Sequence, residues 1–181
     1  HTLTYIRDLG TRNIVLSGGE PFARPDIWEL LQHGKRMGLS IGVLTSGLKA
    51  GGLALTRQEA EIVKDTCCWL QISIDSIKRE LYEHIRGVDR LPQALDSLQN
   101  LCEVGMGGLE VCMTIQKENI RELTEQYAQI KRFFPSGCAS TCSYASASSS
   151  SRSVEPPRNQ RRQSNPCMMP MTTSYFSSIT A

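Results

Sequence analysis

Asn13-Ile14-Val15-Leu16-Ser17-Gly18-Gly19-Glu20-Pro21 is the stretch on which the reading of this chain turns. Its first residues form a short continuous apolar run, as expected of a strand buried on both faces. Two glycines follow directly, so the backbone there can approach a ligand with no Cβ in the way. Pro21 stiffens the exit. Glu20 is then an acid held at the end of a strand, able to accept charge-assisted hydrogen bonds from an ammonium. For a lone Gly-Gly, a plain strand-to-helix turn is the alternative reading.

The same alternation continues outward on both sides. Leu3 to Leu9 reads as the end of a helix closed by Gly10. Pro25-Asp26 opens a helix whose apolar residues Ile27, Leu30, Leu31 and Met37 recur at near-helical spacing, and Gly38 stops it. Ser40–Thr45 is a second strand. Thr56 with Glu59 spells a capping box for the next helix. Trp69–Ile74 is a third strand, followed by a short helix to Ile85 and a longer one from Leu91 to Val104. Leu109–Ile115 is a fourth strand, and Asn119 is expected to cap a helix reaching about Phe134. Four short apolar strands alternating with helices predict an α/β fold with a parallel sheet. Periodicity alone leaves an open doubly wound sheet and a barrel equally available. Either way, functional groups belong at the C-terminal ends of the strands, where Gly18–Pro21, Thr45–Gly47, Ser73 and Asp75 fall.

Composition divides the chain in two. Of its 181 residues, the first 134 hold every leucine, while residues 135–181 hold none and contain 13 serines. So little apolar surface cannot offset chain entropy, so 135–181 is expected to be a disordered, Ser-rich tail and 1–134 the folded core. The net charge of +2 argues against a chain whose main task is neutralising phosphates. Neither nucleic acid nor a membrane is expected as a partner, since no run of 18 apolar residues occurs. Seven cysteines with no secretion signal do not suggest a disulfide framework, and a reducing, cytoplasmic setting is expected.

Taken in order, the motifs resemble those of the radical S-adenosylmethionine (SAM) enzymes. Gly18-Gly19-Glu20-Pro21 resembles the motif that grips the methionine end of SAM in that family. Val43-Leu44-Thr45-Ser46-Gly47 is similar to its Thr-Asn-Gly element, with Ser46 in place of Asn. Gln71-Ile72-Ser73-Ile74-Asp75 resembles its next strand, and His84-Ile85-Arg86-Gly87 the stretch before the following helix. Met113-Thr114-Ile115 with Asn119 to Leu123 completes the likeness, which lies nearest the peptide- and cofactor-maturing enzymes that often carry a SPASM extension.

The resemblance implies an incomplete (β/α)6 partial TIM barrel of about four βα units. It also implies SAM and a 4Fe-4S cluster as cofactors, and a peptide or cofactor precursor as substrate. In such enzymes the cluster reduces SAM to a 5′-deoxyadenosyl radical that abstracts a substrate hydrogen. The SAM-binding residues implied are Gly18, Gly19, Glu20, Pro21, Ser46, Ser73, Asp75 and Arg86. Glu20 and the two glycines would hold the amino group, and Arg86 would reach the carboxylate. Capping and loop hydrogen bonding is the alternative for Ser73 and Asp75, and a solvated surface base for Arg86.

The family's cluster takes three thiolates in a Cys-x3-Cys-x2-Cys pattern upstream of Gly-Gly-Glu-Pro. No cysteine precedes Cys67, and Cys138-x3-Cys142 lacks the third cysteine, with Ala at 145. The chain is therefore expected to be a fragment without metal ligands and inactive by itself, so whether it acts as an enzyme is left open. The reading from another class is a non-catalytic α/β module that binds a small ligand, or serves as a scaffold, through the Gly-Gly turn. Against it, Glu20 puts negative charge where a phosphate would sit.

Overall fold

A computed structural model describes residues 2–133, and the backbone of residues 141–146. The elements run α1 (Thr2–Asp8), β1 (Asn13–Leu16), α2 (Ile27–Arg36), β2 (Ser40–Thr45), α3 (Arg57–Thr66) and β3 (Trp69–Ser73). They continue with α4 (Arg79–Arg86), α5 (Leu91–Glu103), β4 (Leu109–Ile115), α6 (Leu123–Ile130) and β5 (Thr141–Ser146). A single 3-10 turn, Pro21–Ala23, links β1 to α2. No helix among the described residues is long and apolar enough to cross a membrane.

Strand order settles what periodicity left open. All neighbouring pairs are parallel and the order is β1-β2-β3-β4-β5, the order of the sequence itself. A doubly wound sheet needs a reversal of order to place helices on both faces. Right-handed crossovers between sequential strands put every helix on one face instead, which is the wall of a barrel. Burial agrees. Ile41, Val43, Leu70, Ile72, Leu109, Val111 and Met113 are buried, while the alternate residues Trp69, Gln71, Ser73, Glu110, Cys112 and Thr114 are only half-buried. The apolar set packs against Ile27, Leu31, Val63, Leu98 and Leu101 from the helices. Each such side chain contributes about 1.5–3 kcal/mol by leaving water.

Local signals hold where the partners are close in sequence. Thr56 Oγ1 accepts the Glu59 N–H at 3.3 Å, and Glu59 Oε2 accepts the Thr56 N–H at 2.7 Å, closing the capping box. Gly87 ends α4 in the left-handed region, at φ 71°, where a Cβ would be strained. Two features depart from the sequence reading. Asn119 stands at the N-cap of the 3-10 turn Ile120–Glu122 before α6 but its side chain makes no cap bond; it is fully buried, and its amide donates to the carbonyls of Asp75 and Thr114 while its oxygen accepts the Gln116 N–H. Its short polar side chain is better used on buried loop groups, which would otherwise be orphaned, than on an exposed helix start. The second is β5, which lies inside the Ser-rich segment and extends the sheet by pairing Glu110↔Thr141 through Ile115↔Ser146. The rest of that segment lies outside the described residues.

Candidate functional site

The C-terminal ends of β1 to β4 converge on two linked polar clusters. The first is built on Glu20. This residue is the N-cap of the 3-10 turn, and its Oε1 accepts the Phe22 N–H at 3.1 Å. Pro21 is buried in that turn, and Phe22 stacks on Trp28 with ring centroids 5.6 Å apart. The turn thereby swings Glu20 sideways to the neighbouring strand. Thr45 Oγ1 donates to Oε1 at 2.5 Å, and the Ser46 N–H and hydroxyl donate to Oε2 at 2.7 and 2.5 Å. A carboxylate offers about four lone-pair directions, and here all are engaged. Glu20 ties the exit of β1 to the exit of β2.

The loop after β2 is equally fixed. Thr45 Oγ1 accepts the Gly47 N–H, and Ser97 of α5 donates its hydroxyl to the Gly47 carbonyl at 2.5 Å. Gly47 has φ 79°, and a Cβ there would meet the Ile72 side chain. Gly18 and Gly19 are the opposite case. Both are exposed, a Cβ on either would meet nothing within 4 Å, and Gly18 has φ 120°. They leave the backbone just before Glu20 uncovered.

The second cluster sits where β3 and β4 part. Ser73, the last residue of β3, is half-buried, and among the described residues its hydroxyl has no hydrogen-bond partner. Asp75 is buried. Its Oδ1 accepts the Thr114 N–H at 2.8 Å, so a side chain continues the sheet's bonding after the ladder ends. Its Oδ2 lies 2.6 Å from Arg86 Nε. That N–H is not aimed at the oxygen, so the contact is an ion pair, and the buried Nε has no hydrogen-bond acceptor. Behind it Asn119 and Gln126 hold the carbonyls of Asp75 and Ile74.

The structure thus brings Gly18, Gly19, Glu20 and Ser46 into one group and joins Asp75 to Arg86 in another, with Ser73 open between strands β2 and β4. The sequence reading missed Tyr82. Its side chain is 1% exposed and among the largest fully buried. Burial pushes its phenol above the ordinary tyrosine range; the Arg86 charge works against this, and Asp75 and Glu20 reinforce it. Its spacing of four from Arg86 was the available signal.

Lower on the same half-buried face, Gln71 Nε2 donates to Glu110 Oε2 at 3.4 Å across the β3–β4 pair. Burial raises the Glu110 carboxyl above the usual range, and the Gln71 bond offsets this only in part. A folded state that binds this proton more readily than the unfolded chain loses stability as pH rises through the window between the ordinary and the raised value. Glu110→Gln should therefore melt at a higher temperature than the wild type at neutral pH. Melting curves recorded across decreasing pH should converge, and a constant offset would contradict the account.

Metal ligation finds no support here. Among the described residues no three His, Cys, Asp or Glu side chains stand together as a metal site. Cys67 and Cys102 are buried, and burial pushes the Cys67 thiol up to about 12 despite a bond from Thr66, so it is no thiolate at neutral pH. His33 and His84 are exposed on helices. The described residues do not fit a 4Fe-4S cluster. The ammonium of a SAM aminoacyl end is matched by the anchored Glu20 carboxylate, next in sequence to the uncovered Gly18 and Gly19.

Comparison with known proteins gives the family and the fold. The family model described as the Radical SAM superfamily matches residues 2–128. Mycofactocin maturase MftC of Mycobacterium tuberculosis H37Rv is 32% identical over 110 residues, covering 61% of this chain and 27% of its own length. A probable GTP 3′,8-cyclase of Sulfurisphaera tokodaii is 26% identical over 117 residues, 64% of this chain and 36% of that protein. The crystal structure of Streptococcus suis SuiB bound to S-adenosylmethionine shares the fold with a TM-score of 0.60 at 20% identity, over 81% of this chain and 32% of SuiB. The chain spans roughly a quarter to a third of the length of these relatives.

Proposed function

The chain belongs to the radical SAM superfamily, and from that we propose that residues 1–134 form the SAM-holding part of an enzyme that modifies a peptide or cofactor precursor. In this family SAM, reduced at a 4Fe-4S cluster, is the source of a carbon-centred radical that removes hydrogen from a substrate. The observation that carries the reading is the Glu20 carboxylate, fixed by donors from its own turn and from the end of β2, directly after two side-chain-free residues. An ammonium arriving there takes the place of the Ser46 hydroxyl, because a bond between two opposite charges is stronger than one from a neutral hydroxyl to the same carboxylate. The backbone N–H groups of Phe22 and Ser46 keep the carboxylate aimed while the hydroxyl turns away. Ser73 offers a free hydroxyl to the ribose or carboxylate, and Arg86, oriented by Asp75, supplies positive charge. The peptide-precursor class is supported by the names of two relatives, a mycofactocin maturase and SuiB bound to precursor peptide SuiA.

Equilibrium dialysis of the full 181-residue chain with SAM tests the proposal. Saturable binding of SAM, with ATP bound more weakly, is the expected result. Absence of saturable SAM binding, or tighter binding of ATP, would return the chain to the reading of a phosphate-binding α/β module.

A further inference from the structure

Glu110 is an acid that the packing of the sheet does not call for. It is the second residue of β4, half-buried, on the face turned away from the helices. Strand alternation makes it the only charged side chain on that face among the described residues of β1 to β4. Its one polar contact among the described residues is the long 3.4 Å bond from Gln71 Nε2, its register partner on β3, and that donor is neutral. The neighbouring positions are apolar. Trp69 lays its indole across Gly42, where a Cβ would collide with the ring, and Leu44 is the register partner of Gln71 on β2. An alkyl side chain at 110 would continue this surface, whereas a half-buried carboxyl without a counter-charge costs stability. Burial accordingly raises the Glu110 carboxyl above the usual range. A group kept at a cost to the fold points to a binding role.

We propose that Glu110 selects the substrate, its carboxylate taking an ammonium or guanidinium group carried by the molecule to be modified. This rests on the reading of the chain as part of an enzyme acting on a peptide or cofactor precursor, and it names the chemistry of that precursor. Charge complementarity carries the assignment, because a cation arriving on this apolar face meets a single anion. Gln71 contacts Oε2 and leaves Oε1 to the ligand. The alkyl stem of a basic side chain suits the apolar surface that Trp69 and Leu44 provide. The ligand thereby supplies the counter-charge that the described residues do not.

The test uses the full 181-residue chain and three probes followed by ligand-observed NMR titration: the amides of Nα-acetyl-lysine, Nα-acetyl-arginine and Nα-acetyl-norleucine. The last keeps the alkyl stem and lacks the charge. One or both cations should bind saturably, at least about tenfold more tightly than norleucine, the usual effect of a bond between charged groups. Glu110→Gln should bring the cations to the norleucine level, leave norleucine unchanged, and melt no lower than the wild type. Equal affinity for charged and neutral probes, no saturable binding of either cation, or unchanged affinity in the variant would each overturn the assignment. So would equal losses for all three probes or a lower melting temperature. Absence of SAM binding in the dialysis would overturn the parent reading instead, since the probes report on Glu110 without SAM.

Discussion

Glu20→Gln should weaken SAM binding by at least about tenfold, with only a modest loss of stability. The amide keeps one oxygen acceptor and turns the other position into a donor. That donor faces the Ser46 N–H or the Phe22 N–H, both of which already point at the carboxylate. One backbone N–H is thus left without its acceptor, at a cost of about 1–3 kcal/mol. The ligand loses more, since an ammonium facing a neutral amide forfeits the attraction of the opposite charge. Titration calorimetry with SAM, paired with thermal melting, separates the two effects. Unchanged affinity with a large drop in melting temperature would make Glu20 a brace between β1 and β2 and nothing more.

Removing the Asp75 side chain should have the larger effect on the fold. Asp75→Ala strips the Thr114 N–H of its acceptor and leaves Arg86 beside a cavity without its counter-charge. Arg86 is 28% exposed and Asp75 only 5%, so water reaches the guanidinium but does not replace the carboxylate. A loss of about 3 kcal/mol is expected, which for a chain of this size is a melting temperature lowered by about 10 °C. Asp75→Asn should fall between, because its amide oxygen still accepts from Thr114. If Asn and Ala destabilise equally, the charge on Asp75 rather than its bond to β4 is what holds this corner.

These two residues show what the sequence made legible. The position of Glu20 after a strand and two glycines could be read directly, and so could the strand and helix bounds, which depend on neighbours a few residues away. Its engagement by Thr45 and Ser46 could not, because those donors lie 25 and 26 residues on. Asp75 could be read as orienting its strand end and Arg86 as reaching a ligand, but not as partners; their pairing depends on how α4 packs against the end of β3. The choice between barrel wall and doubly wound sheet depends on strand order, which no local pattern encodes. β5 was hidden for a different reason: its residues Thr141-Cys142-Ser143-Tyr144-Ala145-Ser146 carry little apolar surface, and their place in the sheet comes from backbone pairing to β4.

The sequential strand order has a kinetic side. Each ladder joins segments separated by one or two helices, as in Asn13↔Ser40, Gly42↔Trp69 and Leu70↔Leu109. No pairing must wait for a distant part of the chain, so the entropy of closing long loops is never spent at once. As the polypeptide leaves the ribosome, each new strand meets an edge already formed by the one before it. Assembly can follow the direction of synthesis, with the acid-bearing turn after β1 fastened as soon as Thr45 and Ser46 emerge.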